Sequence, residues 1–119
     1  MEFMALIYAD EDGWEDLNPA ERDGWMERYA AFSREARDAG VMVDGDELAP
    51  GRDATTVRVR DGRVAVTDGP YAEVKEALGG YFVLECPTMD DAVAWAARIP
   101  GAAHGAVEVR PVHVDTEES

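Results

Sequence analysis

Apolar residues follow two rhythms along the chain. Phe3-Met4-Ala5-Leu6-Ile7-Tyr8 is a continuous run of strand length and reads as a buried strand. A polar segment from Ala9 to Leu17 follows. Asn18-Pro19-Ala20-Glu21 then marks a helix start, with Asn as N-cap, Pro at the first helical position and Glu three residues after the cap. Trp25, Tyr29, Phe32, Ala36 and Ala39 recur at steps of four, three, four and three, which draws one apolar stripe. Gly40 stands where a left-handed residue would stop the helix, and Val41-Met42-Val43 starts a second strand.

A second unit repeats the plan. Gly80-Tyr81-Phe82-Val83-Leu84-Glu85-Cys86 reads as a buried strand, and Thr88-Met89-Asp90-Asp91 as a capped helix start with acids in its first turn. Ala92, Trp95, Ala96 and Ile99 form the apolar face of that helix, which Pro100-Gly101 ends. Val107-Glu108-Val109-Arg110 alternates as a strand with one buried face. Two strand–helix–strand units predict an α+β fold, a ferredoxin-like split βαβ sandwich with its helices on one face of an antiparallel sheet.

An inserted β-hairpin separates the units. Thr55–Arg60 and Arg63–Thr67 flank Asp61-Gly62, a strong two-residue turn. Closing on that turn pairs Val59 with Val64 and Val57 with Val66 on one face, and Arg58 with Ala65 on the other. Val66-Thr67-Asp68-Gly69-Pro70-Tyr71-Ala72-Glu73 follows, read as a strand-to-helix turn with Pro70 at the first helical position. Asp68 would then stand beside the first free amides of a short helix. As a cap it would be an inert structural carboxylate; desolvated beside Tyr71 and Trp25 it could act as a general acid or base.

Composition narrows the class. The chain has 119 residues, 46% apolar and 31% charged, which fits one folded domain, expected over 1–114 with an acidic disordered tail at 115–119. The net charge of −15 opposes binding to nucleic acid or to anionic membranes. No apolar run reaches the length of a membrane span, and Met1-Glu2, which is not a basic n-region, gives no expectation of a signal peptide. Cys86 is the sole cysteine, which excludes an internal disulfide and fits a cytoplasmic protein. His104 and His113 lack a surrounding cluster of ligating residues, so no metal site is expected.

Asp68-Gly69-Pro70-Tyr71-Ala72-Glu73, Lys75-Glu76 and Leu78-Gly79-Gly80-Tyr81 resemble the signature of the DGPF subgroup of YCII-related proteins. Leu6-Ile7-Tyr8, Ala54-Thr55-Thr56-Val57-Arg58, Trp95-Ala96 and Val107 to Val112 support the resemblance, with Tyr71 where the subgroup's name specifies Phe. It implies a dimeric α+β barrel, a homodimer formed by packing sheets, and a poorly defined activity. Relatives are thought to use a His–Asp pair, one branch in dehalogenation of chlorinated aromatics. Here the helix from Pro19 to Ala39 contains no histidine. The resemblance also implies association with sigma factors of the extracytoplasmic-function type.

Two functions from different classes follow. One is a small-molecule site near Asp68, with Tyr8, Asp10, Trp25, Tyr29, Gly69, Pro70 and Tyr71 as candidate ligand-binding residues. If it is an enzyme, Asp68 is its acid or base, Tyr8 or Tyr71 orients the substrate, and no cofactor is required. The other is a non-catalytic accessory or sensing partner of a sigma factor. Trp25 and Tyr29 could equally be core residues on the helix stripe. Tyr8 and Asp10 could equally be a strand end and a solvated loop.

Overall fold

Residues 1–114 are described by the computed structural model; the expected tail at 115–119 lies outside them. In chain order the elements are β1 (Glu2–Asp10), α1 (Glu11–Glu15), α2 (Pro19–Asp38), β2 (Met42–Glu47), β3 (Thr55–Arg60), β4 (Arg63–Asp68), β5 (Glu76–Glu85), α3 (Met89–Ala96) and β6 (Ala106–Pro111). Short 3-10 turns lie at Gly51–Asp53 and Pro100–Ala103.

The helix boundaries follow the capping chemistry. Asn18 accepts the Glu21 amide through its side chain, and the Glu21 carboxylate accepts the Asn18 amide, a complete capping box. Gly40 adopts φ 72° and closes the far end, where the Val41 amide reaches back to the Ala36 carbonyl. Thr88 caps α3 by accepting the Asp91 amide. The polar segment after β1 contains the five-residue helix α1, capped by Asp10.

Four strands form one antiparallel sheet in the order β2-β5-β1-β6. Both helix connections return the chain to a strand one place removed, which is the split βαβ arrangement of a ferredoxin-like fold. Phe3, Ala5 and Ile7 of β1 alternate onto the face shared by Phe82 and Leu84 of β5. Phe32 and Ala36 of α2 and Ala92 and Ala96 of α3 pack on that face, with Cys86 and Ile99 completing the core. The Phe32 and Phe82 rings meet with centroids 5.0 Å apart and planes tilted by 53°. Ala39 lies outside this core as the exposed C-cap of α2.

The hairpin forms in the register read from the sequence. Val59 faces Val64, Val57 faces Val66 and Arg58 faces Ala65. Asp61 and Gly62 both take positive φ, as a tight turn of this kind requires. β3 and β4 make a two-stranded sheet of their own and do not join the main one. The Cα radius of gyration is 16.6 Å, against about 13–14 Å for a rounded domain of this length.

One predicted element is absent. No helix follows Pro70; residues 69–75 are irregular. The strand β5 begins at Glu76, earlier than the apolar run at Gly80 suggests, because Glu76, Ala77 and Leu78 pair with Asp10, Ala9 and Tyr8. Cross-strand pairing takes residues that a helix would need, and too few remain for a stable turn. A bulge between Ile7 and Tyr8 accommodates the extra residue Gly79.

Candidate ligand site

Asp68 is the last residue of β4 and is exposed. With no helix beyond it, neither the cap on helix amides nor Pro70 at a helical first position exists. The turn is held by other bonds. Gly69 takes φ 100°, a conformation that disfavours any side chain, and donates its amide to the Ala54 carbonyl at 2.7 Å. The Thr56 hydroxyl donates to the Gly69 carbonyl at 2.8 Å. Tyr71 is 76% exposed, with the Arg58 guanidinium 4.9 Å over its ring. These contacts make Asp68-Gly69-Pro70 the clasp at the base of the hairpin.

Pro70 points the clasp toward the end of β1. A Cβ built on Gly51 would lie 3.6 Å from the Pro70 ring and 3.3 Å from Oε1 of Glu11. That oxygen accepts the Gly51 amide at 2.9 Å. Asp10, next to Glu11, spends its side chain on the Asp12 amide at 3.0 Å. The corner therefore gathers Glu11, Gly51 and Pro70 beside Asp10. Sequence reasoning missed Glu11 and Gly51, because their contact spans 40 residues and neither sits in a local motif.

Trp25 and Tyr29 serve a different part of the molecule. The Trp25 ring meets His104 edge-on, with centroids 4.8 Å apart, and carries the Arg28 guanidinium 5.2 Å above it. With Phe32, Glu35, Arg98 and His104 it borders an open depression of about 360 Å³, which no residue of the Asp68 turn lines. Glu35 and Arg98 form an ion pair across it. The Tyr29 hydroxyl accepts the Gly101 amide at 3.1 Å. Burial pushes the Tyr29 phenol above its ordinary pKa of 10, the Gly101 amide draws it partway back, and nearby Glu47 pushes it up again. His104 is the residue here that periodicity could not find, since it lies in a loop and meets α2 only through the fold.

The face of the sheet away from α2 and α3 has an apolar centre, flanked by Asp44 and Asp46 of β2 and ended by the pairs Glu2–Glu85 and Asp10–Glu76. Alternation along β1 places Met4, Leu6 and Tyr8 there, opposite Val83, Tyr81 and Leu78 of β5. Those six side chains form three cross-strand pairs along the two central strands. On β6 the neighbours are Arg110 and Glu108, paired with each other as an ion pair, and Ala106. An antiparallel sheet with one wet face ordinarily carries polar residues on it. This one carries a row of Met, Leu, Val and Tyr.

Chain order, sheet order and helix placement define a ferredoxin-like α+β protein. The chain belongs to the YCII-related family: the profile of the YCII-related domain matches residues 1–114. It is also 32% identical to an uncharacterised protein of Rhizobium meliloti (strain 1021) over 114 residues, covering 94% of this chain and 92% of that protein. Among the described residues, no helix is long and apolar enough to cross a membrane.

Proposed function

We propose that this YCII-related protein is a homodimer that holds a small molecule, with a second copy covering the open face of its sheet. The observation that carries the reading is the row formed by Met4, Leu6 and Tyr8 against Val83, Tyr81 and Leu78. Two such faces packed about 10 Å apart bury their apolar side chains against one another. A two-fold axis makes the surface its own complement. The centre of the row is uncharged, so two copies would meet there on apolar side chains, with Asp44 and Asp46 of β2 at its margin. Glu108 and Arg110 neutralise each other at its side.

The Tyr8 hydroxyl, at the end of the row nearest Asp10, supplies a hydrogen-bonding group to a largely apolar cleft. The ligand class that suits it is a small, mainly apolar molecule with one polar group. Catalysis by Asp68 has weaker support. Its carboxylate is exposed in the protomer and lacks the burial that tunes a general acid or base. A sigma-factor partnership rests on resemblance and on no residue contact.

Light scattering tests the dimer. The wild-type chain is expected at dimer mass at micromolar concentration, and Leu6→Glu at monomer mass with an unchanged far-ultraviolet spectrum. A monomeric wild type, or a dimer that tolerates Leu6→Glu, refutes the reading. Native mass spectrometry tests the ligand: the wild-type dimer should carry a co-purified small molecule that Tyr8→Ala loses. Bare protein in both cases removes the ligand from the reading.

A further inference from the structure

The depression beside Trp25 lies on the helix side of the sheet, so packing two open sheet faces together leaves it facing solvent. Its volume of about 360 Å³ falls at the small end of the range of ligand pockets, about 300–1,000 Å³. Phe32, 4% exposed, reaches it from the core, and the partly buried Trp25 ring forms one wall. His104 braces that ring edge-on, with centroids 4.8 Å apart.

The charge that borders the depression is opposite in sign to the charge of the chain. Two guanidinium groups, Arg28 and Arg98, stand there against one carboxylate, Glu35, which gives a formal charge of +1 with His104 neutral. The chain as a whole carries −15. Salt screens the distant carboxylates beyond about 8–10 Å, so a ligand inside the depression responds mainly to the charges that line it. Those charges favour an anion.

The two arginines are held differently. Arg98 lies 4.3 Å over the Trp95 ring and is paired with Glu35. Arg28 lies 5.2 Å over the Trp25 ring and takes part in none of the ion pairs among the described residues. Contact with an indole occupies the face of a guanidinium and leaves the N–H donors at its edge free. Those donors form a fork that matches the two oxygens of a carboxylate. One uncompensated positive charge therefore stands beside an aromatic wall.

We propose that this depression is a binding site for a small aromatic monocarboxylate, whose carboxylate accepts from the edge of Arg28 and whose ring lies against the Trp25 indole. The ring supplies the apolar area that the wall can cover, and the carboxylate supplies the single negative charge that Arg28 leaves unmatched. Glu35 holds Arg98 and disfavours a second negative charge on the ligand. His104 is a positioning residue, which acts on the ligand through the Trp25 ring. The site is separate from the one at Tyr8 and does not depend on the homodimer.

Calorimetric titration with benzoate as the probe tests it on the full-length chain. Benzoate should bind with saturation, and benzamide and acetate, which lack the charge and the ring respectively, should each bind about tenfold more weakly. Arg28→Gln should weaken benzoate by about tenfold, whereas Arg60→Gln, which removes the same charge from the hairpin, should leave it unchanged. No saturable binding of benzoate below about 10 mM overturns the proposal. Benzamide as tight as benzoate overturns the recognition of charge, and acetate or inorganic phosphate as tight as benzoate overturns the recognition of the ring. Equal weakening by Arg28→Gln and Arg60→Gln reduces the effect to net charge and also overturns the site. Nuclear magnetic resonance locates the ligand without relying on a charge change. The Trp25 indole N–H signal, assigned by its loss in Trp25→Phe, should shift with benzoate while that of Trp14 stays in place. A Trp25 signal that stays in place at saturating benzoate puts the ligand elsewhere and refutes the assignment.

Discussion

The main sheet and the β3–β4 hairpin obey the same two-residue alternation and reach opposite fates. On β1 the alternation puts Phe3, Ala5 and Ile7 under two helices, each at most 8% exposed. On the hairpin it puts four valines in a row that the protomer leaves open. A periodic pattern specifies which side chains share a face. It says nothing about whether the same chain supplies a cover for that face. A well-patterned face left uncovered is therefore information about assembly.

The largest effects should separate the two regions. Phe82→Ala removes a ring packed on Phe32 and is expected to lower stability by about 3–5 kcal/mol in denaturant unfolding. Val66→Ala, measured where the protein is monomeric, should stay within about 0.5 kcal/mol of wild type. A loss above about 1 kcal/mol for Val66→Ala would mean that the hairpin is covered by its own chain, and would erase the contrast.

Two glycines make the same comparison on a smaller scale. A Cβ on Gly45 of β2 would sit 2.4 Å from the Phe82 ring and 2.9 Å from the Tyr81 carbonyl. Gly45→Ala should lower stability by about 1–3 kcal/mol because packed atoms must move. A Cβ on Gly62 in the hairpin would meet open space, but the residue has φ 74°. Gly62→Ala should lower stability by about 1 kcal/mol through backbone strain alone. Equal recovery of both by repacking substitutions around Phe82 would contradict this division.

The smallest effects concern the caps and the alkaline limb. Asn18→Ala removes the side-chain half of the capping box and should lower stability by about 1 kcal/mol. Tyr29 adds a pH signature. Its phenol has a folded pKa raised above the ordinary value of 10, so the neutral side chain's contribution is fully present below pH 10. It is lost as pH rises from there through the raised folded value, because the unfolded chain releases that proton first. Tyr29→Phe should flatten that alkaline decline while giving up the hydrogen bond from the Gly101 amide, about 1 kcal/mol. An unaltered slope above pH 10 would remove Tyr29 as its cause.

Much of the fold was legible in the sequence because its signals are local. Asn18 through Glu21, Gly40 and Thr88 announce helix ends through hydrogen bonds a few residues long. Asp61-Gly62 sets the hairpin register for the same reason. The helix expected after Pro70 failed where a distant partner intervened. Glu76 to Leu78 are claimed by Tyr8 to Asp10, nearly seventy residues away in the chain. The candidate site was legible only in part. Asp10 and Pro70 fall near one corner, but Glu11 and Gly51 join them by a contact no motif encodes. Trp25 and Tyr29 share the helix stripe, yet their neighbours are His104 and Gly101 from a loop beyond α3.

Cys86 has a consequence for following this protein in time. It is the chain's only thiol, 2% exposed at the junction between β5 and α3, and burial pushes its pKa upward, with the carboxylates of Asp91 and Glu85 acting the same way. A thiol reagent can reach the buried sulfur only while that junction is open, and it reacts there with the thiolate. Each molecule therefore carries one silent stopwatch in its core. The rate at which the thiol is consumed under native conditions measures how often the junction opens, and an alkaline series separates that frequency from the proton's own departure.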